Sequence, residues 1–126
     1  MILLDTSTLV FWTLDCERLT QVAAKAIAEA DRVCISSISI WEICIKVGKE
    51  KLALPLSVGE FAAKLERTDR VELLPVDVST WMRNLELEWN HWDPADRTIV
   101  ATASLLNCPL VTSDNLILDF YPRAIW

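Results

Sequence analysis

The chain has 126 residues, 52% of them hydrophobic, which is enough for one compact domain with a core of ordinary size. No apolar run reaches the roughly 18 to 20 residues of a membrane span. Residues 1–15 carry Asp5 and Asp15 instead of a basic start and a long apolar stretch, so neither a membrane protein nor a signal peptide is expected. The net charge of −6 argues against the basic patches that drive phosphate binding, an objection that any nucleic-acid partner has to meet.

Ile2-Leu3-Leu4 reads as a buried strand, followed by a turn at Asp5-Thr6-Ser7 and a helix around Thr8 to Leu14. Leu19, Val22, Ala23, Ala26, Ile27 and Ala30 recur at helical spacing behind Thr20, a good N-cap. Val33 to Ile35 makes a second strand, and Ser36-Ser37 caps a helix from Ile38 to Lys49. A helix from Ser57 to Arg67, a strand at Val71 to Leu74 and a helix from Val78 to Glu88 come next. Another helix opens at Asp93-Pro94 and stops near Asn107-Cys108-Pro109. Leu110 to Thr112 is a strand, and Ala124 to Trp126 can form the last. Short apolar strands alternating with helices predict an α/β fold with a short, mostly parallel central sheet flanked by helices.

The cysteines at 16, 34, 44 and 108 form no C-x-x-C pair, and His91 is the single histidine. Free thiols in a reducing, cytoplasmic setting are therefore expected, and a zinc site is not.

In an open parallel sheet, ligands bind beyond the C-terminal ends of the strands, where the following helices also begin. Asp5 and Asp114 follow strands, Glu42 lies early in the helix after Val33 to Ile35, and Asp93 and Asp96 open the helix that leads to Leu110. Each has a bland reading beside the functional one. Asp5 can be a turn residue, Asp114 an N-cap for residues 115–119, and Asp93 an N-cap with Pro94 at the first helical position. Glu42 can pair with Lys46, an arrangement worth only about 0.2–0.5 kcal/mol on a helix surface. The segment ISIWEICI is apolar on nearly every side, however, and reads as a buried helix in which a carboxylate needs a partner or a metal. Arg97 is open to two roles, a salt bridge or a phosphate contact, and His91 reads as a surface or packing residue. Two like charges about 5 Å apart repel by roughly 3 kcal/mol at an effective dielectric near 20. A set of acids meeting at one edge therefore calls for an offset, and oxygen-only ligands suit Mg²⁺ or Mn²⁺.

The blocks LLDTSTL (3–9), SISIWEICIK (37–46), HWDPADRTIVATA (91–103) and LVTSDNLI (110–117) resemble, in order and spacing, the motif set of PIN-domain nucleases, and more narrowly the VapC toxins of toxin–antitoxin systems. The resemblance runs over nearly the whole chain, as a single PIN domain spanning 1–126. It implies a PIN-like three-layer fold and a Mg²⁺- or Mn²⁺-dependent endoribonuclease that leaves 5′-phosphate and 3′-hydroxyl ends. It also implies a small antitoxin partner. By motif position, Asp5, Glu42, Asp96 and Asp114 take the places of the metal-binding, catalytic acids, with Asp93 the more variable one and Thr6 and Thr112 as supporting hydroxyls. Trp92 departs from the pattern, standing where relatives often carry a basic residue.

The acids gathered at a cation site soften the objection from net charge, and Lys46, Lys49, Lys51, Arg67 and Arg70 are expected to supply a basic rim. Two rivals remain. A receiver-like regulatory domain would need adjacent acids after the first strand and a late lysine, and here Thr6 follows Asp5 and no lysine follows Lys64. A PIN-like RNA-binding or interaction module without catalysis would keep the fold but not the turnover. Trp12, Trp41 and Trp126 suggest apolar surface for a dimer or an antitoxin.

Overall fold

In a computed structural model describing residues 1–126, five short segments pair into one sheet: β1 (Ile2–Leu4), β2 (Val33–Ser36), β3 (Val71–Leu74), β4 (Leu110–Val111) and β5 (Ala124–Ile125). Their order is β3-β2-β1-β4-β5 and every pairing is parallel, so the sheet is more uniform than the mostly parallel one expected. Leu3 is flanked by Cys34 on one side and Leu110 on the other.

Seven helices cover the sheet: α1 (Thr6–Leu14), α2 (Gln21–Glu29), α3 (Ser37–Gly48), α4 (Val58–Arg67), α5 (Val78–Glu86), α6 (Pro94–Leu106) and α7 (Asn115–Phe120). Side chains alternate across the sheet, and this divides the core in two. Ile2, Leu4, Val33, Ile35 and Val111 pack with Leu9, Ala23, Ile27, Ile43, Phe61 and Leu65 from α1 to α4. Leu3, Cys34 and Leu110 pack on the other face with Ile99, Val100 and Ala103 of α6, Ile117 of α7 and Tyr121. Each fully buried Leu, Ile or Val contributes about 1.5–3 kcal/mol. The result is the expected three-layer arrangement. No helix is long and apolar enough to cross a membrane, and all four cysteines are free.

The element ends follow local chemistry. Thr20, Ser36, Ser57 and Asp77 cap α2 to α5, each accepting a backbone N–H with its side chain. Asn107, in the left-handed region at φ 49°, stops α6 where a break was expected. Differences from the sequence reading are small. Helix α1 starts two residues early because Asp5 caps it, and α5 ends at Glu86 instead of Glu88. Thr112 falls outside β4, although its N–H still bonds Ile125 O at 3.0 Å.

Three expectations are corrected. Helix α3 is not buried all round: Trp41 is 51% exposed and Cys44 is exposed, leaving Ser39 and Ile43 as its buried contacts. Trp12 and Trp126 are half-buried against the core and leave less open apolar surface than expected. The basic rim shrinks to Lys46. Arg67 and Arg70 immediately precede β3 and so lie at the N-terminal edge of the sheet, where Arg70 Nη1 donates to Ile27 O and Ala30 O at the end of α2. Lys49 and Lys51 follow the far end of α3, a helix of 12 residues and thus about 18 Å long.

Candidate active site

The chain leaves β1 toward β2 and β3 on one side, then returns to β4 and β5 on the other. That reversal opens a crevice between the C-terminal ends of β1 and β4, the usual ligand position in open parallel sheets. Asp5 follows β1 there, and Thr112 and Asp114 follow β4.

Asp5 is 5% exposed. Its Oδ1 accepts Thr8 N–H at 2.9 Å, capping α1, and its Oδ2 accepts the hydroxyl of fully buried Thr112 at 2.5 Å. Thr112 Oγ1 in turn accepts Asp114 N–H at 3.0 Å, so one hydroxyl ties the two strand ends together. Burial raises the Asp5 pKa. The bonds from Thr112 and Thr8 oppose that rise, and the charge of Asp114 adds to it. Asp114 caps α7, with Oδ1 accepting Leu116 N–H at 2.8 Å.

Glu42 meets the same edge through Thr6, whose hydroxyl donates to Glu42 Oε1. Thr6 Oγ1 also lies 2.9 Å from the buried Ser39 Oγ. A hydroxyl carries a single hydrogen, so Ser39 is the donor in that contact when Thr6 donates to the carboxylate. The Glu42 carboxylate is therefore engaged by Thr6 and forms no ion pair with Lys46. Both residues line a cleft of about 160 Å³ together with Trp41 and Asp93.

Asp93 is an N-cap: its Oδ1 accepts Asp96 N–H at 2.8 Å and Pro94 opens α6 behind it. Asp96 projects from the first turn, with Oδ2 2.7 Å from His91 Nε2. Burial raises the Asp96 pKa to about 6. The bond from His91 pulls the other way, and the charges of Asp93 and Asp114 push it further up. The charge of Asp114 is thus felt at both Asp5 and Asp96, which places the three acids in one electrostatic field.

The acids are gathered but not closed: no three Asp, Glu, His or Cys side chains form a ready-made ligand cluster. Each carboxylate instead takes at least one hydrogen bond from a local donor. In kind, the set suits a hard divalent cation. All its donors are oxygens, and Glu42 Oε2, Asp96 Oδ1 and Asp114 Oδ2 accept no protein hydrogen bond.

Arg97 takes neither role expected of it. It is 6% exposed, and its guanidinium donates to Asn84 Oδ1 and to the carbonyls of Asn84, Leu87, Trp89 and His91 at 2.6–3.1 Å. Its donors are committed to the end of α5 and the loop between α5 and α6, which leaves no fork for a phosphate. His91, read as a surface or packing residue, instead bonds Asp96. It reaches the acid from the loop just before α6, five positions upstream. Away from the acids, an apolar groove of about 290 Å³, lined by Trp12, Leu56, Phe61 and Leu65 among others, lies at the C-terminal end of α1.

A family model described as the PIN domain matches residues 2–121. The chain is 29% identical over 125 residues to "Ribonuclease VapC22" of Mycobacterium tuberculosis (strain ATCC 25618 / H37Rv), covering 98% of this chain and 95% of that protein. Among solved structures, a toxin–antitoxin complex from Klebsiella pneumoniae superposes with a TM-score of 0.69 at 19% identity, over 100% of this chain and 97% of that one. VapBC2 from Rickettsia felis, bound to a DNA fragment from their promoter, superposes with a TM-score of 0.68 at 19% identity, over 99% and 96%.

Proposed function

The chain belongs to the PIN-domain family, and from that premise we propose that it is a VapC-type toxin, an endoribonuclease that hydrolyses RNA phosphodiester bonds and is restrained by a small antitoxin protein. Asp5, Glu42, Asp96 and Asp114 hold Mg²⁺ or Mn²⁺ in this reading. The observation that carries it is that Asp5 and Asp114 lie where the sheet order reverses, tied together by Thr112, with the charge of Asp114 reaching both Asp5 and Asp96. Similarity to a ribonuclease along nearly the full chain supports the chemistry, and fold likeness to toxins in complex with antitoxins supports the partner. A homodimer belongs to the same reading, and the exposed apolar residues Val78, Trp81, Met82 and Leu85 of α5 offer area for such contacts.

A divalent cation bound there supplies positive charge against the phosphodiester and lowers the pKa of water for attack at phosphorus. The protein's share is positioning. Asp5 is fixed through both oxygens, Thr6 orients Glu42, and Thr112 couples Asp5 to the start of α7. Lys46, in the cleft beside Glu42 and Asp93, supplies the one basic group close to the acids that can meet a phosphate.

Purified protein should cleave RNA when Mg²⁺ or Mn²⁺ is added and stop in EDTA. Asp5→Asn and Asp96→Asn should each lower the rate by about 100-fold or more, as loss of a metal-orienting group does. Cleavage that survives in both variants would overturn the metal-acid mechanism, and RNA binding without cleavage would identify an inactive module. Induced expression should arrest growth, with rescue by the product of a small neighbouring gene.

A further inference from the structure

His91 is held more firmly than a loop residue needs to be. Its main-chain oxygen accepts Arg97 Nη1 at 3.1 Å, and the same nitrogen holds Trp89 O at 2.8 Å. Its ring lies 4.9 Å from the Trp89 ring, centroid to centroid, and Trp89 stacks on Phe120 of α7 at 4.6 Å and 11°. The far end of the imidazole meets Asp96 Oδ2 at 2.7 Å, and the other carboxylate oxygen has no protein partner. A carboxylate accepts hydrogen bonds, so Nε2 is the protonated nitrogen in this contact.

We propose that His91 is a positioning residue for Asp96, donating from Nε2 to Oδ2 and thereby leaving Oδ1 as the oxygen offered to a divalent cation. The inference rests on the proposed metal site and adds to it a group that touches neither cation nor RNA. Partners of this kind orient metal-binding carboxylates, and losing one weakens metal affinity by about 10- to 100-fold. The aromatic stack fixes the ring from the α7 side, while Arg97 fixes the loop backbone from the α6 side. Asp96 is therefore oriented by elements that also position Asp114, the acid that begins α7.

The test is calorimetric titration of the full chain with Mn²⁺ alone, comparing wild type, His91→Phe and His91→Gln, with melting temperatures recorded in the absence of cation. Phe keeps the ring against Trp89 and loses the donor, whereas Gln keeps an N–H donor of similar reach and loses the ring. The expected result is Mn²⁺ binding by wild type, weakening by about 10- to 100-fold in His91→Phe, and recovery of most of that loss in His91→Gln. If Phe does not fold, His91→Leu takes its place in the comparison. Unchanged Mn²⁺ affinity in the Phe or Leu variant would overturn the inference while leaving the metal site intact. Equal weakening in the Phe and Gln variants would also overturn it, because a lost donor is then not the cause. Absence of Mn²⁺ binding in wild type would overturn the metal site itself, and the inference with it.

Discussion

Thr112 carries more of the site than its size suggests. Its hydroxyl donates to Asp5 and accepts the N–H of Asp114, linking the ends of two neighbouring strands at a fully buried position. Thr112→Val keeps the shape and removes both bonds, leaving a buried carboxylate oxygen and an N–H short of partners. Chemical denaturation should report a loss of about 1–3 kcal/mol, and RNA cleavage should fall in the same variant. A variant as stable as wild type would mean that water replaces the hydroxyl at both contacts. The positions of the acids were legible because each lies next to an apolar run or a helix start. The hydroxyl bridges were not, because Thr112 reaches Asp5 across 107 residues and Thr6 reaches Glu42 across 36. The contact of His91 with Asp96 was not legible for a related reason: it depends on a loop shape fixed by Arg97, and no local pattern encodes that shape.

At the scale of elements, the start of α6 combines two functions within four residues. Asp93 caps the helix, Asp96 faces the crevice, and Arg97 turns the other way to bind the carbonyls of the preceding loop. The cap and the proline were readable from sequence because they obey local rules. Arg97 was not, since a buried guanidinium bonded to backbone carbonyls looks the same in sequence as one facing a phosphate. Arg97→Met should cost about 3 kcal/mol in denaturant unfolding, because four half-buried carbonyls lose a charged donor together. If instead Arg97 bound phosphate, the same variant would lose RNA affinity with little change in stability. Helix α3 shows the opposite limit. Its apolar sequence predicted burial on all sides, but no neighbour covers the side carrying Trp41 and Cys44.

Across the whole molecule, an all-parallel sheet with a reversal between β1 and β4 gathers negative charge at one edge of a chain already at −6. The sheet and its two-sided core were readable from alternating apolar runs, and strand order was not, because it depends on which crossovers pack. The gathered charge makes the fold sensitive to pH. Burial raises the Asp96 pKa from 3.8 to about 6 and moves Asp5 the same way. A carboxyl whose pKa is raised in the folded state holds its proton more tightly there than in the unfolded chain, so its ionisation opposes folding as pH rises. Stability without cation should therefore fall between about pH 4 and pH 6 as Asp96 ionises. Asp31 and Asp77, whose carboxyls are held low by hydrogen bonds from the N-terminal ammonium and from Thr80, act only below that window. Mn²⁺ at about 100 times its Kd should return about 2.7 kcal/mol at pH 7 and less at pH 5, where Asp96 is largely protonated. Scanning calorimetry from pH 4 to pH 7, with and without Mn²⁺, checks this, and a melting temperature that rises from pH 4 to pH 6 without cation would contradict it.

The central claim, that carboxylates at this edge direct a cation-dependent attack by water on RNA, is tested most directly by the ends of the cleaved strands. An RNA oligonucleotide incubated with purified protein and Mn²⁺ should yield fragments with 5′-phosphate and 3′-hydroxyl ends, and no fragments in EDTA or with Asp96→Asn. Fragments ending in 2′,3′-cyclic phosphate and 5′-hydroxyl, formed with or without cation, would show attack by the RNA's own 2′-hydroxyl and contradict the account.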